Sequence, residues 1–223
     1  MKKLNLIVAF LATVITVSTF AQISGNEEKD PKAKAILDKL SKKNNELKSV
    51  KIDFSYNLQN TAEKIDETQK GSVSLKGNKF ILDIAGQTII NNSKTQWTYI
   101  KDADEVQIDN APDPASKDNA LNPAEIFTIY ETGFKYKYEK EDKYKEKAVD
   151  IIKLYPLDAN KKSYHTIILA VYKVENQFAY IKILSKDGNK YTYYLDKFTP
   201  NPALTDTDFN FDVSKVGEVI DLR

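Results

Sequence analysis

The chain has 223 residues, with 33 Lys and Arg against 32 Asp and Glu, and a formal charge of +1. It has no cysteine, a single histidine and 13 tyrosines, and its only arginine is Arg223. These counts exclude a disulfide scaffold, a thiolate or multi-histidine metal site, a cysteine nucleophile, and recognition of phosphate by paired arginine forks. Near-neutrality also argues against nucleic acid, which requires a concentrated basic face.

Lys2 and Lys3 precede an apolar run from Leu4 to Val17, and Thr19-Phe20-Ala21 supplies a small-x-small cleavage site. About 14 apolar residues fall short of the roughly 20 that a membrane-spanning helix needs. The expectation is therefore a signal peptide over residues 1–21, cleaved after Ala21, and export to the periplasm. Removing Lys2 and Lys3 leaves 31 basic against 32 acidic residues, a charge of −1. Residues 22–30 read as a polar lead, and residues 31–223 as a single domain.

Asp30-Pro31 is an N-cap followed by proline at the first helical position. Ala33, Ile36, Leu37, Leu40 and Leu47 recur at helical spacing, which predicts a helix over 31–49. The period then drops to two. Val50, Ile52, Phe54, Tyr56 and Leu58 alternate with polar residues, and short alternating runs separated by tight turns follow as far as Ile108. This is an antiparallel meander, because parallel strands would need long crossovers. A loop over 110–121 leads to Asn122-Pro123-Ala124-Glu125, a capping-box start. The short helix it opens carries Ile126, Phe127, Ile129 and Tyr130 before Gly133. Strands resume from Phe134, with the charged stretch Glu139 to Lys147 read as a solvated hairpin tip. The predicted class is mainly β with helices (α+β). About 10–11 antiparallel strands are too many for a flat layer, which favours a bent sheet or incomplete barrel.

No enzymatic motif survives. There is no G-x-S-x-G elbow or phosphate loop, and His165 is a lone strand histidine that reads as structural or surface-exposed. Asp206-Thr207-Asp208-Phe209-Asn210 begins like a calcium loop, but Phe211 stands where glycine is needed and Gly217 where a bidentate glutamate is needed. A strand with Phe209, Phe211 and Val213 inward explains the same residues. No catalytic residue, metal or cofactor is expected. What remains is aromatic and aliphatic content at strand positions: Phe54, Tyr56, Phe80, Leu82, Trp97 and Tyr99, with Ile126, Phe127 and Tyr130 from the short helix. These fit a packed core and a site for an apolar ligand alike.

The order helix, alternating strand, Gly71-Ser72-Val73-Ser74-Leu75-Lys76-Gly77-Asn78-Lys79-Phe80, then Lys94-Thr95-Gln96-Trp97-Thr98-Tyr99 and Glu105-Val106-Gln107-Ile108 resembles the periplasmic lipoprotein carriers, the LolA-like family. The Asn122-Pro123 helix, the Asp187-Gly188 hairpin and the ending from Phe209 to Asp221 extend the resemblance over nearly the whole mature chain. It implies a half-open antiparallel β-barrel with a helical lid over an apolar cavity. Phe54, Tyr56, Phe80, Leu82, Trp97 and Tyr99 would line that cavity, and Ile126, Phe127 and Tyr130 would form the lid. It implies a monomeric chaperone that shelters lipoprotein acyl chains between inner and outer membrane and catalyses no reaction. Its partners would be acylated lipoproteins and an inner-membrane lipoprotein-releasing ABC transporter, with an outer-membrane receptor left open. An envelope-stress sensor of the same fold, binding lipid or peptide, is the alternative; a secreted hydrolase using paired carboxylates is a third. One departure stands out. The family's arginine after the second barrel strand, which ties lid to barrel, is absent, so a latch would have to use Lys76, Lys79 or apolar contacts.

Overall fold

The computed structural model describes residues 30–112, 130 and 132–223. Among the described residues, one α-helix, α1 (Pro31–Asn45), is followed by twelve strands. These are β1 (Val50–Asn60), β2 (Ile65–Lys76), β3 (Lys79–Ile84), β4 (Gln87–Asn91), β5 (Thr95–Ile100), β6 (Glu105–Asn110), β7 (Phe134–Tyr144), β8 (Lys147–Pro156), β9 (Tyr164–Tyr172), β10 (Gln177–Ser185), β11 (Lys190–Pro200) and β12 (Glu218–Asp221). They form a single sheet in the order β12-β6-β5-β4-β3-β2-β1-β11-β10-β9-β8-β7. Its two edges, β12 and β7, do not pair with each other, so the sheet stays open and the barrel is not closed. Every pairing is antiparallel except β12 on β6, which is parallel.

The helix begins where the sequence places it, and one side chain explains why. Asp30 Oδ1 accepts from the backbone N–H of Lys32 at 2.9 Å and of Ala33 at 3.1 Å, while Oδ2 accepts from the N–H of Tyr138 in β7 at 2.9 Å. The cap therefore also fixes the helix against β7, an edge strand of the sheet. Burial pulls this carboxyl upward, but the three N–H donors outweigh it and hold its pKa below the ordinary carboxylate value. Ala33, Leu37 and Leu40 are buried.

Three expectations need correction. The charged stretch from Glu139 is not a free hairpin tip: β7 continues to Tyr144, and only Lys145 and Glu146 make the turn, both at positive φ. A shift of register between Tyr138 and Lys140 interrupts the pairing with β8 within that strand. Residues 206–215 are not a strand but two 3-10 turns, Asp206–Phe209 and Val213–Lys215. Thr205 and Asp208 form a reciprocal capping box at the first, a local bond set that competes with extended pairing. Phe209 is fully buried, whereas Val213 is exposed. The strands among the described residues number twelve, and the predicted helix at 122–130 lies outside those residues apart from Tyr130. The signal peptide also lies outside them. No helix among the described residues is long and apolar enough to cross a membrane.

Candidate ligand-binding face

Residues directly opposite each other in a ladder share a face of the sheet, so the register sorts every strand side chain into one of two sets. Across β7, β8, β9, β10, β11 and β1, one row runs Tyr138, Ile152, Leu169, Ile181, Tyr193, Tyr56. Across β1 to β5, another runs Ile52, Val73, Leu82, Ile89, Thr98. Both rows, together with α1 and Tyr130, contribute to one large hydrophobic cluster. The face carrying this cluster is the inner face.

Its centre is aromatic. Tyr56 and Tyr193 have ring centroids 5.1 Å apart, Tyr56 stacks on Tyr191 at 6.3 Å, and Phe54 meets Tyr193 at 6.1 Å. Gly71 lies opposite Phe54, and a Cβ there would come within 2.6 Å of the Phe54 ring and 2.7 Å of the Asp83 carbonyl oxygen. That glycine gives the ring its seat. Burial raises the Tyr193 phenol well above its ordinary pKa, helped by Tyr56 and Tyr191, and Tyr56 shifts the same way, first by burial and then through Tyr191. These hydroxyls therefore stay protonated and the surface stays uncharged. Several of its side chains, Tyr56, Leu82, Ile84, Ile89, Tyr191 and Leu195, retain partial exposure. They form an apolar surface that a chain of CH₂ groups could cover at about 0.8 kcal/mol per group buried.

The expected site residues divide. Phe54 and Phe80 are buried in the cluster, and Tyr56 and Leu82 pack against it from the same face. Tyr130 is also there, edge-on to Phe178 with centroids 6.1 Å apart. Ile126 and Phe127 lie outside the described residues. Trp97 and Tyr99 do not share the inner face. Trp97 lies opposite Ile90 and Ile108, and Tyr99 opposite Thr88 and Val106, all positions that alternate with the inner row. On that outer face Tyr99 packs on Phe211 at 5.4 Å and donates its hydroxyl to Asp104 Oδ1 at 3.0 Å, near fully buried Val106 and Phe209. Strand alternation puts Trp97 and Tyr99 together, but only the turns between strands decide on which side. Tyr191, Tyr193 and Leu195 were the converse omission: their alternation in β11 was visible, but their pairing with β1 across some 130 residues of chain was not.

Lys76 and Lys79 already have partners. Lys76 Nζ donates to the Leu204 carbonyl and to Asp206 Oδ1, each at 3.0 Å, and Lys79 pairs with Asp206 Oδ2 at 3.2 Å. Their hydrogen bonds hold the Asp206 carboxyl below its ordinary pKa, Lys76 more than Lys79. Both lysines thus tie down the C-terminal segment. His165 is exposed, and its ring Nδ1 lies 2.9 Å from the neighbouring Thr166 hydroxyl. No group of three or more His, Asp or Glu among the described residues is arranged to hold a metal.

Residues 17–173 match the family model described as outer membrane lipoprotein carrier protein LolA. The chain belongs to the LolA family. No curated protein matches the sequence. Among solved structures, an uncharacterized conserved protein from Thermus thermophilus shares the fold at a TM-score of 0.54 and 14% identity, covering 85% of this chain and 99% of that one. The lipoprotein LppX of Mycobacterium tuberculosis gives a TM-score of 0.48 at 12% identity, covering 79% and 98%. A LolA superfamily protein of Nitrosomonas europaea gives 0.44 at 13%, covering 80% and 97%. The open sheet with α1 on its inner face thus belongs to a member of the LolA family.

Proposed function

We propose that this LolA-family chain is an exported carrier that shelters the acyl chains of lipoproteins on its inner face and moves them from inner to outer membrane. The observation that carries the reading is the uncharged, partly exposed aromatic and aliphatic surface around Tyr56, Leu82, Ile89 and Tyr193, held on a sheet that remains open. A few acyl chains of ordinary length make free passage through water prohibitive, at about 0.8 kcal/mol per CH₂. A surface left partly exposed suits release, because the cargo must leave for a better solvent.

In this reading the first 21 residues direct export to the periplasm, and an inner-membrane ATP-driven transporter supplies the cargo. The carrier works by binding and release and has no catalytic step. Phe54 and Phe80 shape the floor, and Tyr56 and Leu82 touch the cargo; Ile126, Phe127 and Tyr130 cover it. Depleting the protein from its own cells and fractionating the envelope tests this. Lipoproteins should accumulate in the inner membrane, and unchanged sorting would overturn the proposal.

A further inference from the structure

The inner face changes chemistry partway across the sheet. The three rows that pass through Phe80, Leu82 and Ile84 are apolar from β1 to β3, with Val50, Leu75, Ile52, Val73 and Phe54 beside Gly71, but beyond β3 they turn polar. Phe80 is followed by Asn91, Gln96 and Asp109; Leu82 by Ile89, Thr98 and Gln107; Ile84 by Gln87, Ile100 and Glu105. None of the inner-face positions of β4 to β6 holds lysine or arginine. Gln96, Thr98, Glu105 and Gln107 are all half-buried. Gln107 Nε2 donates to Glu105 Oε1 at 2.8 Å, and Asn91 Nδ2 reaches Gln96 Oε1 at 3.4 Å. Asn91 Oδ1 also accepts from the Ser93 N–H at 2.7 Å, but a primary amide has two donors and an acceptor with two lone pairs, so Gln96 and Gln107 keep capacity beyond the bonds made among the described residues.

A wall built only for hydrocarbon gains nothing from half-buried amides, which cost free energy wherever they lose water without a partner. We infer that the β5–β6 wall receives the polar head of the ligand whose acyl chains lie on the apolar half, and that this head is uncharged, bearing hydroxyl, ester and amide groups. The inference rests on the carrier reading and adds the place of the ligand's polar head and the residues that meet it. Gln96, Thr98 and Gln107 offer donors and acceptors to such a head. Glu105 and Asp109, with no cation on the same wall, repel a phosphate. The junction of glyceryl esters and a peptide amide in an acylated polypeptide has the required chemistry; an anionic phospholipid does not. The wall is continuous with the apolar half in the same ladders, so one amphipathic molecule can span both.

The test uses the mature full-length chain and three probes with one acyl chain in common: a monoacylglycerol, the corresponding lysophosphatidic acid, and the acyl methyl ester. Each is measured by displacement of a fluorescent fatty acid. The monoacylglycerol should bind about tenfold more tightly than the methyl ester, the worth of one or two net hydrogen bonds, and at least about tenfold more tightly than the lysophosphatidic acid. A double variant, Gln96→Leu with Gln107→Leu, should abolish the preference for monoacylglycerol while leaving the methyl ester unchanged, and Glu105→Gln should narrow the penalty on phosphate. If the double variant does not fold, Thr98→Val and the wild-type ranking decide. Equal affinity of the wild type for monoacylglycerol and methyl ester would overturn the inference and leave the apolar site standing. Failure of all three probes to bind would count against the carrier reading itself.

Discussion

Both faces of this sheet are aromatic, but they treat their aromatic residues differently. On the outer face the chain covers its own rings. Phe209 is fully buried, Phe211 lies on Tyr99, and Lys76, Lys79 and Asn92 hold that C-terminal segment through Asp206 and Asn210. At the other end of the same face, Tyr144 from the tip of β7 reaches Tyr172, Tyr180 and Tyr194 in β9, β10 and β11, at centroid distances of 6.4, 5.5 and 5.9 Å. Lys145–Asp196 and Lys173–Glu141 ion pairs flank that contact. On the inner face, the described covering elements are α1 and Tyr130, and the surface around Tyr56, Leu82 and Ile89 remains partly exposed. Aromatic content therefore does not mark a ligand site. What sets the inner face apart is that, among the described residues, only α1 and Tyr130 lie over it and its apolar surface around Tyr56, Leu82 and Ile89 stays partly exposed.

The largest expected effect separates the faces by stability. Phe209→Ala should cost about 3–5 kcal/mol in chemical denaturation, as for other buried aromatics, yet leave acyl-probe affinity unchanged under conditions where the variant is folded. Loss of affinity in the folded variant would break the division between faces. Next comes binding. Tyr56→Ala with Leu82→Ala should weaken a fatty acyl probe at least about tenfold, because removing two half-buried contacts forfeits well over 1.4 kcal/mol. Trp97→Phe should change affinity by less than about twofold, since nothing apolar is lost from the inner face. Equal effects of the two would show that the site spans both faces.

Gly71→Ala sharpens the inner face itself. The new methyl group meets the Phe54 ring and the Asp83 carbonyl, and overpacking of this kind costs about 1–3 kcal/mol. Adding Phe54→Leu should recover part of that loss in thermal melts; no recovery would locate the strain at the Asp83 carbonyl alone. Smaller still is the Asp30 cap, where Asp30→Ala should cost about 0.5–2 kcal/mol. Its lowered pKa fixes the pH dependence: the contribution is present above the unfolded carboxylate value of about 3.9 and is lost as pH falls through the lower folded value. Asp206 follows the same sign. Hydrogen exchange between pH 5 and pH 2 should therefore show α1 and the C-terminal segment loosening only at the acid end of that range, and loosening already complete at pH 5 would contradict the assigned bonds.

The sequence disclosed whatever is local. Asp30-Pro31 marks the start of α1, period-two alternation reveals β1, and Gly77-Asn78 and Asp187-Gly188 mark hairpins. What it concealed depends on chain segments far apart. Trp97 and Tyr99 were recognisable as partners of each other, but their side of the sheet follows from the cumulative register of β2 through β5. The charges of Glu139 to Lys143 hid the second half of β7, because an edge strand exposes enough surface to tolerate them. Phe209 and Phe211 imitate strand alternation, although the Thr205-x-x-Asp208 box beside them is a readable turn signal. For the candidate site, Phe54, Tyr56, Phe80 and Leu82 could be grouped from alternation, while Tyr191, Tyr193 and the polar β5–β6 wall required the ladder.

The most direct test of the central claim is photo-crosslinking in the native envelope, with a benzophenone amino acid placed singly at Leu82, Tyr56 or Trp97. The account predicts crosslinks to acylated lipoproteins from Leu82 and Tyr56 and none from Trp97. Crosslinks from Trp97 with none from the inner positions would contradict it.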